Sequence, residues 1–279
     1  MAGHVISNYL KNYIEKFEII NVARSANLNK PDILLNILEF TELEKLIHSL
    51  KPNIIINCVG LLNSIAEEKI NESILLNSFL PNFLAEKTKN INCKIIHLST
   101  DCVFSGKKGN YIESDLKDGN GIYSNTKSLG EIINNKDLTI RTSIIGPELN
   151  KNGIGLFNWF SKQNGEITGY TNVLWSGITT ITLAKSILDL IKNNTTGLVH
   201  LTNNTTINKY DLLIIFNNEF KNSKVQDIKI DNKYISNKSF INTRTDLNIN
   251  IPSYSEMIVE MKNWIITNID NYKHYSSIL

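Results

Sequence analysis

The stretch IIHLSTDCVFSGKKGNYIESD, residues 95–115, decides how the rest of the chain is read. It opens as an apolar run and passes directly into Ser99, Thr100 and Asp101. In an open parallel sheet, ligands bind at the carboxyl ends of the strands, so hydroxyls delivered there mark a site. Shortly downstream, YSNTK places Tyr123 and Lys127 four residues apart. On a helix that spacing puts both side chains on one face.

Together these residue types suit carbonyl reduction. A hydride arriving at a ketone carbon leaves charge on oxygen, which needs a proton donor and a hydrogen-bond partner. Tyr123 can donate the proton, Lys127 is the cation that would stabilise the phenolate, and Thr100 can hold the substrate oxygen. The spacing alone is weak, because Tyr234 and Lys238 repeat it with no strand-end hydroxyl cluster before them. The joint pattern of strand, hydroxyls, tyrosine and lysine carries the reading.

Outward from this stretch, apolar runs alternate with segments of helical period. FEIINVA (17–23), NIIINCVG (53–60), CKIIHLS (93–99) and LTIRTSII (138–145) predict strands, most of them apolar on both faces as buried parallel strands are. TELEKLIHSLK (41–51), ESILLNSFLPNFLAEKTK (72–89) and YSNTKSLGEIINNK (123–136) predict helices. The alternation implies an α/β, doubly wound parallel sheet. After about residue 143 the rhythm changes: GLFNWFSKQ (155–163) leads into the turn-rich NGEITGYTNVLWSG (164–177) and a helix over 179–193. A short strand over 197–202 and helices over 208–220 and 254–269 complete the chain. The division expected is a dinucleotide-binding domain of residues 1–142 and 179–203, interleaved with a smaller C-terminal substrate domain of residues 143–178 and 204–279.

Composition excludes several classes. The 279 residues are 42% apolar and 20% charged, the balance of an ordinary globular chain. A net charge of +2 without a Lys/Arg cluster argues against nucleic acid. Three cysteines, Cys58, Cys93 and Cys102, lie in or beside apolar runs without CxxC spacing, so reduced thiols are expected rather than disulfides or a metal site. No run is long and apolar enough for a membrane span, and the start lacks a signal-peptide layout, so a cytoplasmic location away from the membrane is expected.

LSTDCVFSGKKGNYIESD, followed by YSNTKSLGE and LTIRTSIIGPEL, resembles the extended short-chain dehydrogenase/reductases, and within them the dTDP-4-dehydrorhamnose reductase-like enzymes. The resemblance covers residue 1 to about 190. It implies a Rossmann-like domain binding NADPH, with NADH as the second choice, and a smaller domain binding a nucleotide sugar. It also implies that Thr100, Tyr123 and Lys127 are catalytic, with Tyr123 and Lys127 also touching the cofactor. Ser124 departs from the glycine usual after the tyrosine.

On the cofactor side, MAGH resembles the end of the family's Gly-x-x-Gly-x-x-Gly turn, with Gly3 as the third glycine. The family's first strand and first two glycines would then lie upstream of Met1, leaving the sheet N-terminally truncated here. Arg24 and Ser25 end the 17–23 run where an NAD-preferring protein places an acid, and a cation there suits the 2′-phosphate of NADP. Cys58, Val59 and Gly60 resemble the small-residue turn beside the cofactor, and Asn77 matches a family asparagine. For the substrate, Ser99, Asp101, Arg141, Asn172 and Trp175 are candidates, the arginine for a phosphate and the aromatic for a base.

The leading expectation is an NADPH-dependent 4-ketoreductase acting on a 4-keto-6-deoxy nucleotide sugar for surface polysaccharide. Two others stand beside it: a non-catalytic NADP-binding regulatory subunit of the same fold, and a sugar-nucleotide epimerase or dehydratase. Oligomeric state is left open, with a homodimer compatible.

Overall fold

The computed structural model describes residues 1–13, 15–27 and 30–279. The chain enters through α1 (Ala2–Leu10), whose Val5, Ile6 and Leu10 are buried against the helix Thr180–Lys192. Two-residue strands β1 (Val22–Ala23) and β2 (Ile33–Leu34) pair in parallel with each other alone. The main sheet follows: β3 (Ile54–Asn57), β4 (Lys94–Thr100), β5 (Leu138–Thr142) and the strand Gly197–His200, all parallel. Gly197–His200 lies at one edge, then β5, then β4, with β3 at the other edge. Ile96, Leu138, Ile140 and Val199 are buried in one apolar core with α1, and Ile95 lies in a second cluster on the opposite face, with Leu43, Ile47, Leu80 and Leu84. Near-continuous apolar strands are what a sheet covered on both faces requires.

The run 17–23 corrects the expectation of a long strand, since only Val22–Ala23 is paired. Phe17 to Ile20 and Val22 line a cavity of about 670 Å³ whose opposite wall is Ile54 to Asn57 of β3. A strand needs a neighbour about 4.8 Å away to satisfy its ladder, and across this cavity none of the described residues supplies one.

The helix Ile122–Leu129 is shorter than its periodicity implies. Its first N–H is capped from outside, by Glu67 Oε1 on Ile122 N at 2.7 Å. It stops at Gly130, where a Cβ would meet the carbonyl oxygen of Asn77 at 1.9 Å, so only glycine permits this approach. Beyond it, Glu131 turns inward to an ion pair, which a continuing helix would prevent.

The remaining segments build a second core around Phe157, Phe160, Phe216, Phe220, Tyr272 and Tyr275. The helix Tyr254–Thr267 starts at a reciprocal cap, Ser253 and Glu256. Here the structure adds a parallel pair of strands, Asn164–Tyr170 and Lys224–Asp231, where turns were expected in the first and nothing in the second. A bulge between Val225 and Asp227 sets the buried residues three apart, at Val225 and Ile228, which hides the two-residue period of a strand. The three thiols, Cys58, Cys93 and Cys102, are free. No helix among the described residues is long and apolar enough to cross a membrane, and none of their side chains cluster as metal ligands.

Candidate active site

Thr100 is the last residue of β4 and Tyr123 lies in the first turn of the helix Ile122–Leu129. The Thr100 hydroxyl donates to Asp101 Oδ1 at 3.1 Å and accepts from Cys102 N at 3.1 Å. The Tyr123 phenol stands beside it. Burial pushes the Tyr123 phenol well above its ordinary range, with Cys102 and Asp101 adding to the shift and the Thr100 bond opposing it. The structure thus brings the two hydroxyls together, with the tyrosine held protonated.

Lys127 is placed differently from expectation. Its Nζ donates to the Leu98 carbonyl at 2.6 Å and lies 3.3 Å from His97 Nε2, buried to 4% exposure. Lys127 is one helical turn from Tyr123, yet it is not among the groups that act on the phenol. Burial lowers its ammonium to about 8, against the opposing pull of Glu131 and Cys58. His97, fully buried, is held well below its ordinary range by burial and by Lys127, and its Nδ1 lies 3.2 Å from Asn57 Nδ2.

Of the candidate cofactor residues, Gly3 and Cys58 do meet. A Cβ on Gly3 would lie 3.4 Å from Cys58 Cβ, so the start of α1 packs on the turn after β3. Val59 and Gly60 continue that turn. Asn77 is a correction: it is fully buried, exchanging hydrogen bonds with Leu61 N and O at 2.9 and 3.0 Å and donating to Thr126 Oγ1 at 3.1 Å. It clamps the turn to the catalytic helix, and its polar atoms are engaged. Arg24 and Ser25 sit exposed just after β1, apart from the other candidates.

The substrate candidates separate most. Arg141 is 2% exposed and grips Glu131 through Nε and Nη2, at 2.7 and 2.8 Å, while Nη1 reaches the Glu113 carbonyl and His200 Nε2. Ser99 donates to the same Glu131 at 2.8 Å. Both are therefore corrected from ligand contacts to members of a closed ionic cluster that ties the end of the catalytic helix to the sheet. Trp175, 5% exposed, donates from Nε1 to Ser143 Oγ at 2.9 Å and is packed in the second core. Its ring face is covered by the Lys209 ammonium 4.7 Å from the centroid, so it is not an open stacking platform. Asn172 is exposed and joins two loops by donating to the Asn232 carbonyl. Asp101 remains at the site, between Thr100 and Lys209, whose ammonium burial lowers to about 8 against the pull of Asp101.

Residues 10–262 match the model of the RmlD substrate binding domain family. The chain belongs to that family. It is 29% identical over 209 residues to dTDP-4-dehydrorhamnose reductase of Aggregatibacter actinomycetemcomitans, covering 67% of this chain and 71% of that protein. It is 31% identical over 98 residues to methionine adenosyltransferase 2 subunit beta of Xenopus tropicalis, covering 35% of this chain and 29% of that one. Among solved structures, dTDP-4-dehydrorhamnose reductase from Bacillus anthracis in complex with NADP superposes with a TM-score of 0.72 at 21% identity, over 82% of this chain and 87% of that one.

As a member of the RmlD family the chain carries the extended short-chain dehydrogenase/reductase fold, and the expected oxidoreductase class stands. Three residues of this RmlD-like site escaped the sequence reading: His97, Glu131 and Lys209. His97 sits mid-strand in an apolar run and Glu131 follows a helix, positions where sequence offers no sign of what they face. Lys209 had one available signal, its place immediately after the helix cap Asn208, since cap positions point chain ends at ligands.

Proposed function

We propose that this chain uses NADPH to reduce the 4-keto group of a 4-keto-6-deoxy nucleotide sugar, an activated deoxysugar step in surface polysaccharide synthesis. The observation that carries this reading is the Tyr123 phenol, raised by burial and set beside Thr100 at the carboxyl end of β4, with a buried lysine one turn along the helix. The donor set around it fits a dinucleotide. The α1 N-terminus has no side-chain cap, the small residues Cys58, Val59 and Gly60 leave room beside it, and Arg24 is an exposed cation at a strand end. Gly3 and Gly60 line the approach, and a side chain on Gly60 would collide with Asn77 Oδ1 at 2.9 Å.

When bound, the nicotinamide supplies a hydride to the substrate carbonyl carbon. The Tyr123 hydroxyl, joined by the Thr100 hydroxyl once it turns from Asp101, donates to the carbonyl oxygen, and Tyr123 gives that oxygen its proton as charge develops. Lys127, one turn along the same helix, would return a proton to the phenol once it leaves Leu98. Lys209, rather than Arg141, is the cation at the substrate side, and it suits an anionic diphosphate beside Asp101.

The test is a screen of 4-keto nucleotide sugars for NADPH oxidation, run on the parent and on Tyr123→Phe. Tyr123→Phe is expected to lower turnover by roughly 10²-fold or more with cofactor affinity nearly unchanged. Near-normal turnover would remove Tyr123 from the mechanism. The similarity to a methionine adenosyltransferase subunit favours a second reading, an NADP-binding subunit without turnover. NADPH binding with no oxidation of any keto sugar would select it.

A further inference from the structure

Hydrogen-bond accounting around Lys127 leads to an inference about its charge. Asn57 Oδ1 accepts from Val59 N at 3.1 Å, which fixes the amide so that Nδ2, a donor, faces His97. His97 Nδ1, 3.2 Å from that donor, must then be the acceptor. A neutral imidazole with Nδ1 unprotonated carries its hydrogen on Nε2. That Nε2–H points at Lys127 Nζ, 3.3 Å away. An ammonium has three hydrogens and no lone pair, so it cannot receive this bond, whereas an amine can receive it and still donate to the Leu98 carbonyl at 2.6 Å. The other tautomer of His97 would accept from an ammonium but would set its Nδ1–H against the Asn57 amide hydrogens. All three side chains are 4% exposed or less, so water is poorly placed to relieve either mismatch.

We propose that Asn57 and His97 are positioning residues that favour the amine over the ammonium form of Lys127 in the resting site, so that the lysine gives up its proton more readily while it faces His97 than after it leaves. The proposal rests on the reading of Lys127 as part of a reductase site. It adds that the pair Asn57–His97, on β3 and β4, sets the pH range of that site. Every group facing the amine is accounted for. His97 and the Leu98 carbonyl come from β4, Cys58 from the turn after β3, and Glu131 from beyond the helix. The Met1 ammonium acts on Cys58 and Tyr123 lies on the same helix. Burial lowers the lysine while Glu131 and Cys58 pull it upward, and Cys58 is itself held as a neutral thiol, pushed up to about 12 by burial. Only the imidazole's hydrogen bond discriminates between the two charge states through geometry.

The test replaces the fixed donor. In Asn57→Asp one carboxylate oxygen keeps the Val59 N–H bond and the other accepts Nδ1–H, which frees Nε2 to accept from an ammonium. Asn57→Ser, whose hydroxyl donates or accepts, removes the constraint without adding charge and serves if the aspartate variant does not fold. The readout is the pH titration of the Lys127 Cε resonance in protein labelled at lysine Cε, assigned by its loss in Lys127→Met. The expected midpoint is near 8 in the parent. In Asn57→Asp it rises by about one pH unit or more, and in Asn57→Ser by less. A parent midpoint at the ordinary lysine value, or no movement in either variant, overturns the inference. Where turnover is measurable, the alkaline limb of kcat/KM moves in step with the resonance. A resonance that moves in a protein without turnover would retire the reductase reading and leave the inference standing. A resonance that stays fixed in an active reductase would do the reverse.

Discussion

The two ends of the site are held in different ways. At the proposed catalytic end, Thr100, Tyr123 and Lys127 sit on a strand and a helix locked together by buried bonds, Asn77 to Thr126, Ser78 to the Thr126 carbonyl, and Glu131 to Arg141. At the proposed cofactor end, Arg24 follows a two-residue strand whose only partner among the described residues is another two-residue strand, and a 670 Å³ cavity lies between that strand and β3. Proton transfer depends on sub-ångström placement, so its residues need over-determined positions. A cation that selects a phosphate acts over a longer range and tolerates a looser mount.

Removing the tie at the catalytic end is expected to have the largest effect. Arg141→Ala takes the bidentate partner from buried Glu131 and leaves it only Lys117 and Ser99, a loss of up to about 3–5 kcal/mol of stability measurable by urea denaturation. Among molecules that remain folded, nucleotide-sugar KM should change little. A sharp rise in KM without lost stability would return Arg141 to the substrate and erase the contrast between neighbouring Ser99 and Thr100.

The loose end is probed by Arg24→Ala. If the exposed guanidinium meets the 2′-phosphate, the preference for NADPH over NADH should fall by about 1–3 kcal/mol, with melting temperature unchanged. An unchanged cofactor ratio would mean that the end beyond β1 takes no part in selection.

The smallest effect per residue comes from the buried histidines. Burial lowers His4 to about 3 and His200 to about 4, and holds His97 well below its usual range. Unfolded, each titrates near 6.5, so between that value and the folded one the unfolded chain binds more protons. Stability is therefore present above about pH 6.5 and is lost as pH falls toward 4. From pH 7 to 6 the expected loss is about half a kcal/mol for each histidine. Replacing His200 by Gln should flatten the fall. A fall that ignores His200 would place the acid sensitivity outside the cluster that holds the catalytic helix.

The proposed catalytic residues were nominated by a local signal: an apolar strand ending in hydroxyls, then a tyrosine and lysine on one helical face. Gly3 against Cys58 and the turn through Gly60 were legible for the same reason, each a small residue at a strand or helix end. Arg141, Ser99 and Asn77 were not, because a polar residue on a strand or helix reads alike whether it meets ligand or another side chain. Register decided it: Ser99 stands opposite Arg141 across β4 and β5, which brings both to Glu131.

The sequence by itself determined most of the elements, their order and the parallel sheet, and it named the candidate reacting groups, since these follow from periodicity and from functional-group chemistry within a few residues. Only the tertiary structure decided which charges are closed upon each other, which face of Trp175 is covered, and how His97 and Asn57 bear on Lys127. Those outcomes depend on contacts between residues as much as 59 positions apart, such as Arg141 and His200, and a hydrogen bond exists only where packing brings a donor within about 3 Å of an acceptor.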